Sequence, residues 1–236
     1  MKMVDIHCHL LPGIDDGPTS WEDTLQMCKK AAADGITHIV ATPHCSDRYC
    51  FDRKAALFLV DELARRVPNM AFSLGCDFHL SYDNIEDAKL HPERYTIGET
   101  KYLLVELSPY GVSSSMTTVL SELTCRGLVP IITHPERNRL LEGRFELVEE
   151  WISLGCLVQV TANSLTGFWG PAVKKFCEKL LTKEQVHVIA TDAHDPEHRP
   201  PVLSAARRIA AKMVGEEYAQ ALFFDIPAAI VRGDAL

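Results

Sequence analysis

The residues that could do chemistry in this chain fall in five short motifs, each at or just past an apolar run. They are D-I-H-C-H (5–9), T-P-H (42–44), V-E (105–106), T-H-P-E-R (133–137) and T-D-A-H (191–194). His7 and His9 stand two apart. A strand has period two, so both project to one face with Asp5. Two imidazoles on one face can share a cation, and Asp5 can orient a ligand from behind. Asp192 and His194 repeat the spacing, and carboxylate with imidazole suits Mn²⁺, Fe²⁺ or Zn²⁺. Glu106 follows Leu103, Leu104 and Val105, where a carboxylate must be paired, protonated or metal-bound. His44 and His134 each follow an apolar run. Asp77 ends another, where it could bridge two cations at the short separation that phosphoester chemistry uses.

Singly, each has a structural reading: a salt-bridged core Glu, a capping His, an Asx turn at Asp15 or Asp16 in G-I-D-D-G. Spacing does not choose between those two aspartates. Five such motifs together describe a polynuclear metal site. Arg137 lies three residues past His134, and Arg199 five past His194. A guanidinium grips phosphate through two parallel hydrogen bonds, so the pair points to an anionic substrate. Arg139 competes with Arg137. His38, His79, His91, His187 and His198 are left out of the site; His79, two beyond Asp77, is the nearest of them to inclusion.

The elements that must position these groups alternate along the chain. Apolar strands are expected at Met3–Ile6, Ile36–Ala41, Ala71–Cys76, Tyr102–Leu107, Leu128–Thr133, Leu157–Thr161 and Val186–Ala190. Helices are expected at Ser20–Asp34, Arg53–Arg66, Ser113–Arg126, Phe145–Leu154, Pro171–Leu181, Leu203–Val214 and Glu216–Phe223. Ser20 reads as an N-cap with Asp23 in place of the usual capping-box Glu, and Gly35 as the stop. Asp87–Thr100 reads as irregular. Seven apolar strands alternating with helices argue for a parallel β/α architecture with both sheet faces covered. The polar motifs follow the strands, where barrel enzymes place their sites. No repeat or linker divides the chain, so one domain over residues 1–236 is expected.

Bulk properties exclude several classes. The chain has 236 residues, 47% hydrophobic content and a net charge of −8 with no Lys/Arg run. Nucleic acid is therefore an unsuitable partner. No apolar stretch approaches a membrane span, and M-K-M-V-D-I is too short and polar for a signal peptide, so a cytoplasmic location is expected. The eight cysteines have no C-x-x-C pair. Cys8, Cys45 and Cys76 neighbour proposed ligands on strands and so point away from them, which makes them packing residues. None of the eight has Arg six residues on, which excludes the C-x₅-R loop of cysteine-based phosphatases.

The motifs together resemble the polymerase-and-histidinol-phosphatase (PHP) superfamily, and more closely the bacterial manganese-dependent protein-tyrosine phosphatases of capsule and exopolysaccharide clusters. The resemblance runs almost the full length. It is carried by Asp5–Pro18, Gly35–His44, His134–Asn138, Gln159–Leu165 and Thr191–Pro201. It implies an α/β fold, a distorted (β/α)₇ barrel of PHP type, holding up to three divalent metals, Mn²⁺ first and Fe²⁺ or Zn²⁺ as alternatives. By resemblance, His7, His9, Asp77 and Asp192 would hold one metal. Asp77, Glu106 and His134 would hold a second; Asp16, His44 and His194 a third. Arg137 and Arg199 would bind the phosphoryl group, and His44 could assist the leaving group. The resemblance, not spacing, selects Asp16 over Asp15. The implied partner is a phosphotyrosine protein, the tail of a bacterial tyrosine kinase, with oligomerisation left open. One departure stands out. The bridging position usually carries Glu, and here it is Asp77, one methylene shorter, so the backbone must come closer. A small-molecule phosphatase of histidinol-phosphate type and a non-catalytic PHP module are the competing readings.

Overall fold

The computed structural model describes residues 2–108 and 114–236. In chain order the elements are β1 (Met3–Cys8), α1 (Trp21–Asp34), β2 (Ile36–Ala41), β3 (His44–Cys45), α2 (Arg53–Arg66), β4 (Ala71–Leu74), β5 (Asp77–His79), α3 (Tyr82–Leu90), β6 (Tyr102–Glu106), α4 (Ser114–Cys125), β7 (Val129–Thr133), α5 (Phe145–Ser153), β8 (Leu157–Thr161), α6 (Ala162–Thr166), α7 (Pro171–Thr182), β9 (Val188–Ala190), α8 (Ser204–Val214), α9 (Glu216–Gln220) and α10 (Ile226–Arg232). All strand pairings are parallel, in two sheets ordered β1-β2-β4 and β3-β5-β6-β7-β8-β9. The sheets are stitched at both ends. Cys8 bridges Ala193, with His9 N–H donating to Ala193 O at 2.8 Å. At the other side β2 and β4 of the first sheet run on into β3 and β5 of the second, and the Asp77 N–H donates to Pro43 O at 3.0 Å across that step.

The expected count of seven strands is corrected to nine among the described residues. The apolar run at 71–76 ends as β4 at Leu74, and the chain restarts as β5 at Asp77, while β3 is two residues long. The region read as irregular from residue 87 begins inside α3, whose Ser81 Oγ accepts the Asn84 N–H at 3.3 Å. α6 and α10 also lie outside the expected helices. The expected start of the fourth helix at Ser113 lies outside the described residues.

Local chemistry explains the elements that hold the site. Ser20 Oγ accepts the Asp23 N–H at 3.2 Å, capping α1. The shorter Asp23 does not complete a capping box; its Oδ2 takes the Ser20 hydroxyl at 2.7 Å instead. β1 is buried at every position, as a strand covered on both faces must be.

Gly75 answers how the short Asp77 reaches inward. A Cβ there would sit 3.1 Å from Ile97 Cγ1, 3.2 Å from Val40 Cγ1 and 3.3 Å from Thr42 Cγ2. The bare backbone lets the β4–β5 connection press against β2. Gly75→Ala is expected to cost about 1–3 kcal/mol through overpacking. Urea unfolding checks it; a change within 0.5 kcal/mol would show that the neighbours yield freely.

Candidate metal centre

The proposed ligands gather at the carboxyl ends of the strands, where parallel α/β sheets form their crevices. His7 lies in β1 and His9 just past it; His44 opens β3, Asp77 opens β5, and Glu106 closes β6. His134 follows β7, and Asp192 and His194 follow β9. His134 (φ 35°) and Asp192 (φ 50°) hold left-handed backbone conformations unusual for non-glycine residues. Such strain costs about 1–3 kcal/mol and persists where the surroundings over-determine it. Here His134 N–H donates to Gln159 O and Asp192 N–H to His7 O, both at 2.8 Å.

Hydrogen bonds set how the imidazoles face the cluster. His7 Nδ1 is 2.8 Å from Gln159 Oε1, and His9 Nδ1 is 2.7 Å from Asp15 Oδ2. Each ring therefore donates from Nδ1, which leaves Nε2 as the nitrogen turned toward the cluster. The two Nε2 atoms face one another at 3.4 Å, each 3.5 Å from Asp192 Oδ1. His194 Nδ1 donates to Asp192 O at 3.0 Å, and its Nε2 lies 3.4 Å from Asp16 Oδ1. His44 Nε2 is also 3.4 Å from that oxygen. On its other side His44 Nδ1 is 3.1 Å from Asp77 Oδ2 and 3.7 Å from Glu106 Oε2.

Ligand atoms within 4.8 Å of one another form four overlapping groups: His9, Asp16, His44 and His194; His7, Asp77 and His134; His7, His9 and Asp192; and His44, Asp77 and Glu106. The Asp16–His44–His194 set is the one implied by resemblance, joined here by His9. The other implied sets are divided differently: Glu106 groups with His44, while His134 groups with His7. Asp77 belongs to two groups.

The donor set fits divalent cations on two observations. Asp77 is fully buried and, among the described residues, neither oxygen accepts a well-formed hydrogen bond; the groups nearest Oδ2 are imidazole nitrogens, His44 Nδ1 at 3.1 Å and His7 Nε2 at 3.6 Å. A buried carboxylate so placed needs a positive charge beside it, from protonated imidazole or from metal. The site is also short of positive charge. Burial lowers the proton affinity of His44, but Asp16 and Asp77 outweigh it and push its pKa up to about 11. His9 is raised to about 9, with Asp15 and Asp192 overriding burial. Burial pushes Glu106 up to about 7, reinforced by the charge of Asp77. Burial would raise Asp77 too, but His7 and His44 hold it well below the usual carboxylate range. Protons occupy positions where cations would serve, and metal binding would release them.

Asp15 and Asp16 divide their work. Asp15 orients the site: its Oδ2 takes His9 Nδ1 and the His44 N–H, and its Oδ1 the Gly17 N–H. Asp5 holds Thr191 rather than an imidazole, accepting from its hydroxyl at 2.5 Å and from its N–H at 3.0 Å. Cys8, Cys45 and Cys76 are buried and enter none of the ligand groups, and His79 stays outside them as well. Gln159 was missed as an orienting residue. Its signal was available: an amide in the middle of the apolar strand Leu157–Thr161.

Above the cluster lies a cavity of about 510 Å³ lined by Asp16, His44, Glu106, His134, Arg137 and Arg199, among others. Arg137 Nη2 and Arg199 Nη2 both reach Asp192 Oδ2, at 2.6 and 2.7 Å. Arg139 lines the same cavity without that contact.

A parallel α/β fold with imidazoles and carboxylates clustered beneath two arginines defines the class: a protein with candidate metal-binding groups at the floor of a cavity lined by two guanidiniums. The chain belongs to the family described as capsular polysaccharide synthesis, CpsB/CapC, which matches residues 3–232. It is 35% identical over 206 residues to the putative tyrosine-protein phosphatase CapC of Staphylococcus aureus, covering 85% of this chain and 80% of that protein. It is 31% identical over 240 residues to the tyrosine-protein phosphatase CpsB of Streptococcus pneumoniae, covering 97% and 98%. A crystal structure from the pair YwqE of Bacillus subtilis and CpsB of S. pneumoniae, metal-dependent tyrosine phosphatases, superposes with a TM-score of 0.89 at 28% identity, covering 99% of this chain and 96% of that one. A histidinol phosphate phosphatase from Lactococcus lactis, solved with zinc, L-histidinol and phosphate, shares the fold alone (TM-score 0.63, 11% identity, 96% and 98% covered).

Proposed function

We propose that this chain is a metal-dependent protein-tyrosine phosphatase acting on a bacterial tyrosine kinase in capsular polysaccharide synthesis. The observation that carries the reading is the pair Arg137 and Arg199 above a cluster in which the buried Asp77 faces the imidazoles of His7 and His44. His7, His9, Asp16, His44, Asp77, Glu106, His134, Asp192 and His194 would hold up to three divalent metals; this oxygen-and-nitrogen set suits Mn²⁺, Fe²⁺ or Zn²⁺, and the family resemblance puts Mn²⁺ first. Bound there, the metals supply Lewis acidity that makes water nucleophilic near neutral pH and offsets charge on the phosphoryl oxygens.

The chain's own groups do the rest. Arg137 and Arg199 bind the equatorial phosphoryl oxygens and fix the ester for in-line displacement. Water oxygen bonds to phosphorus as the phosphorus–phenol oxygen bond breaks, giving inorganic phosphate and tyrosine. His44 lines the cavity, and in a centre where it does not ligate a metal it would give the proton to the leaving oxygen. Asp15 and Gln159 keep His9 and His7 turned toward the cluster.

We read the stitched sheets as a distorted barrel of PHP type and residues 1–236 as one domain. Among the described residues no helix is long and apolar enough to cross a membrane. Eight free thiols, six of them buried, agree with a reducing cytoplasm. The test compares turnover of a phosphotyrosine peptide, a phosphoserine peptide and histidinol phosphate by the Mn²⁺-loaded protein. The phosphotyrosine peptide is expected to show the highest kcat/KM. Preference for histidinol phosphate would move the protein to the small-molecule class.

A further inference from the structure

Trp169 is the one aromatic side chain, imidazoles apart, that lines the metal-facing cavity among the described residues. It sits in the short turn between α6 and α7, bracketed by Gly167 (φ 94°) and Gly170 (φ 93°). Two left-handed glycines let the chain reverse within four residues and push Phe168 and Trp169 outward. Their rings meet edge to face, with centroids 5.0 Å apart. Trp169 remains 36% exposed. An indole in that position has a reason to be there beyond packing, because its edge and face are shared with the anion site.

The ring contacts both arginines. Arg137 Cζ lies 5.2 Å and Arg199 Cζ 5.5 Å from its centroid. The same two guanidiniums meet Asp192 Oδ2 through their Nη2 atoms. Two like charges are thus pinned between one carboxylate and one indole. The electron-rich ring offsets their repulsion, and Trp is the side chain best suited to that. Neither Nε atom has a hydrogen-bond partner among the described residues. The remaining lining of the cavity is polar or charged except for Leu107, which is nearly buried. Among the described residues that line the cavity, an ester whose phosphoryl group rests on the arginines therefore meets one extended apolar surface: the exposed part of Trp169.

We infer that Trp169 is the specificity-determining residue of this site, holding the two guanidiniums in register and offering its exposed ring to the aryl group of a phosphomonoester. This rests on the phosphatase reading above. An alkyl phosphate reaches the arginines but gains nothing from the ring. An aromatic ring gains stacking, equivalent to about a tenfold preference.

The test uses non-hydrolysable ligands, which separates recognition from leaving-group reactivity. Phenylphosphonate and methylphosphonate are titrated calorimetrically into the Mn²⁺-loaded wild type, Trp169→Leu and Trp169→Phe. The wild type is expected to bind phenylphosphonate about tenfold more tightly than methylphosphonate. Trp169→Leu should bring the ratio close to one and weaken methylphosphonate about threefold, as the arginines lose their shared support. Trp169→Phe should keep most of the preference. In turnover of phosphotyrosine, Trp169→Leu should raise KM more than it lowers kcat. A ratio that Trp169→Leu leaves unchanged, or a wild type that does not discriminate, overturns the inference while leaving the phosphatase reading intact. Failure of the wild type to bind either phosphonate contradicts the phosphate-site reading itself.

Discussion

Asp77→Asn is expected to lower kcat/KM for a phosphotyrosine peptide by about three orders of magnitude, roughly 4 kcal/mol of transition-state stabilisation. The change keeps the shape of the side chain and removes only its charge. Asp77 is the carboxylate that joins two of the ligand groups, one with His7 and His134 and one with His44 and Glu106, and it is fully buried. An amide cannot replace a carboxylate between two cations, because it offers one neutral oxygen where two charged ones are needed. The variant should also lose the increase in Tm that Mn²⁺ gives the wild type, since binding to the native state alone is what raises it. Asp77→Glu restores the charge but adds a methylene to a packed site beside Gly75, so it should rescue only in part. The two measurements, kinetics and melting with and without Mn²⁺, separate a metal role from a packing role. Wild-type kcat/KM in Asp77→Asn would remove this residue from the centre.

Arg137→Ala and Arg199→Ala are each expected to reduce kcat/KM by about 10²–10³, the usual effect of deleting a donor aimed at developing charge. The double variant should lose less than the product of the single losses, because both groups serve one phosphoryl and share Asp192 and Trp169. Lysine should not rescue either position: a compact ammonium cannot hold two oxygens at once or lie against an indole face. The loss should be similar for aryl and alkyl phosphates, in contrast to the effect expected at Trp169. Competitive inhibition by inorganic phosphate should weaken in parallel with kcat/KM. Full activity in both single variants would remove them from the phosphate site.

Much of the site was legible because its chemistry breaks the pattern of its strands. His7 and His9, or Asp192 and His194, interrupt apolar runs at period two, and Glu106 ends one. Asp15 and Asp16 could not be separated by spacing, since adjacent carboxylates in a turn look alike; only the fold shows one turned to His9 Nδ1 and the other to His44 and His194. The ligand sharing was also hidden, because which imidazole lies near which carboxylate depends on how β3 and β5 sit beside each other. Those strands span two and three residues, too short to show a period. α3 escaped for a related reason. Among its nine residues only Ala88 is buried, so no apolar stripe marks it. Trp169 gave no signal of periodicity either; its turn is written in Gly167 and Gly170, and its purpose is visible only once Arg137 and Arg199 are brought from distant strands.

Divalent cations at this cluster are expected to be required for phosphomonoester hydrolysis. The most direct measurement is turnover of a phosphotyrosine peptide after dialysis against a chelator, followed by return of Mn²⁺ to the same sample. Activity is expected to fall at least a hundredfold, about 3 kcal/mol, and to recover when Mn²⁺ is restored, with the metal content of the protein rising in step. Unchanged activity in the metal-free protein would contradict the account.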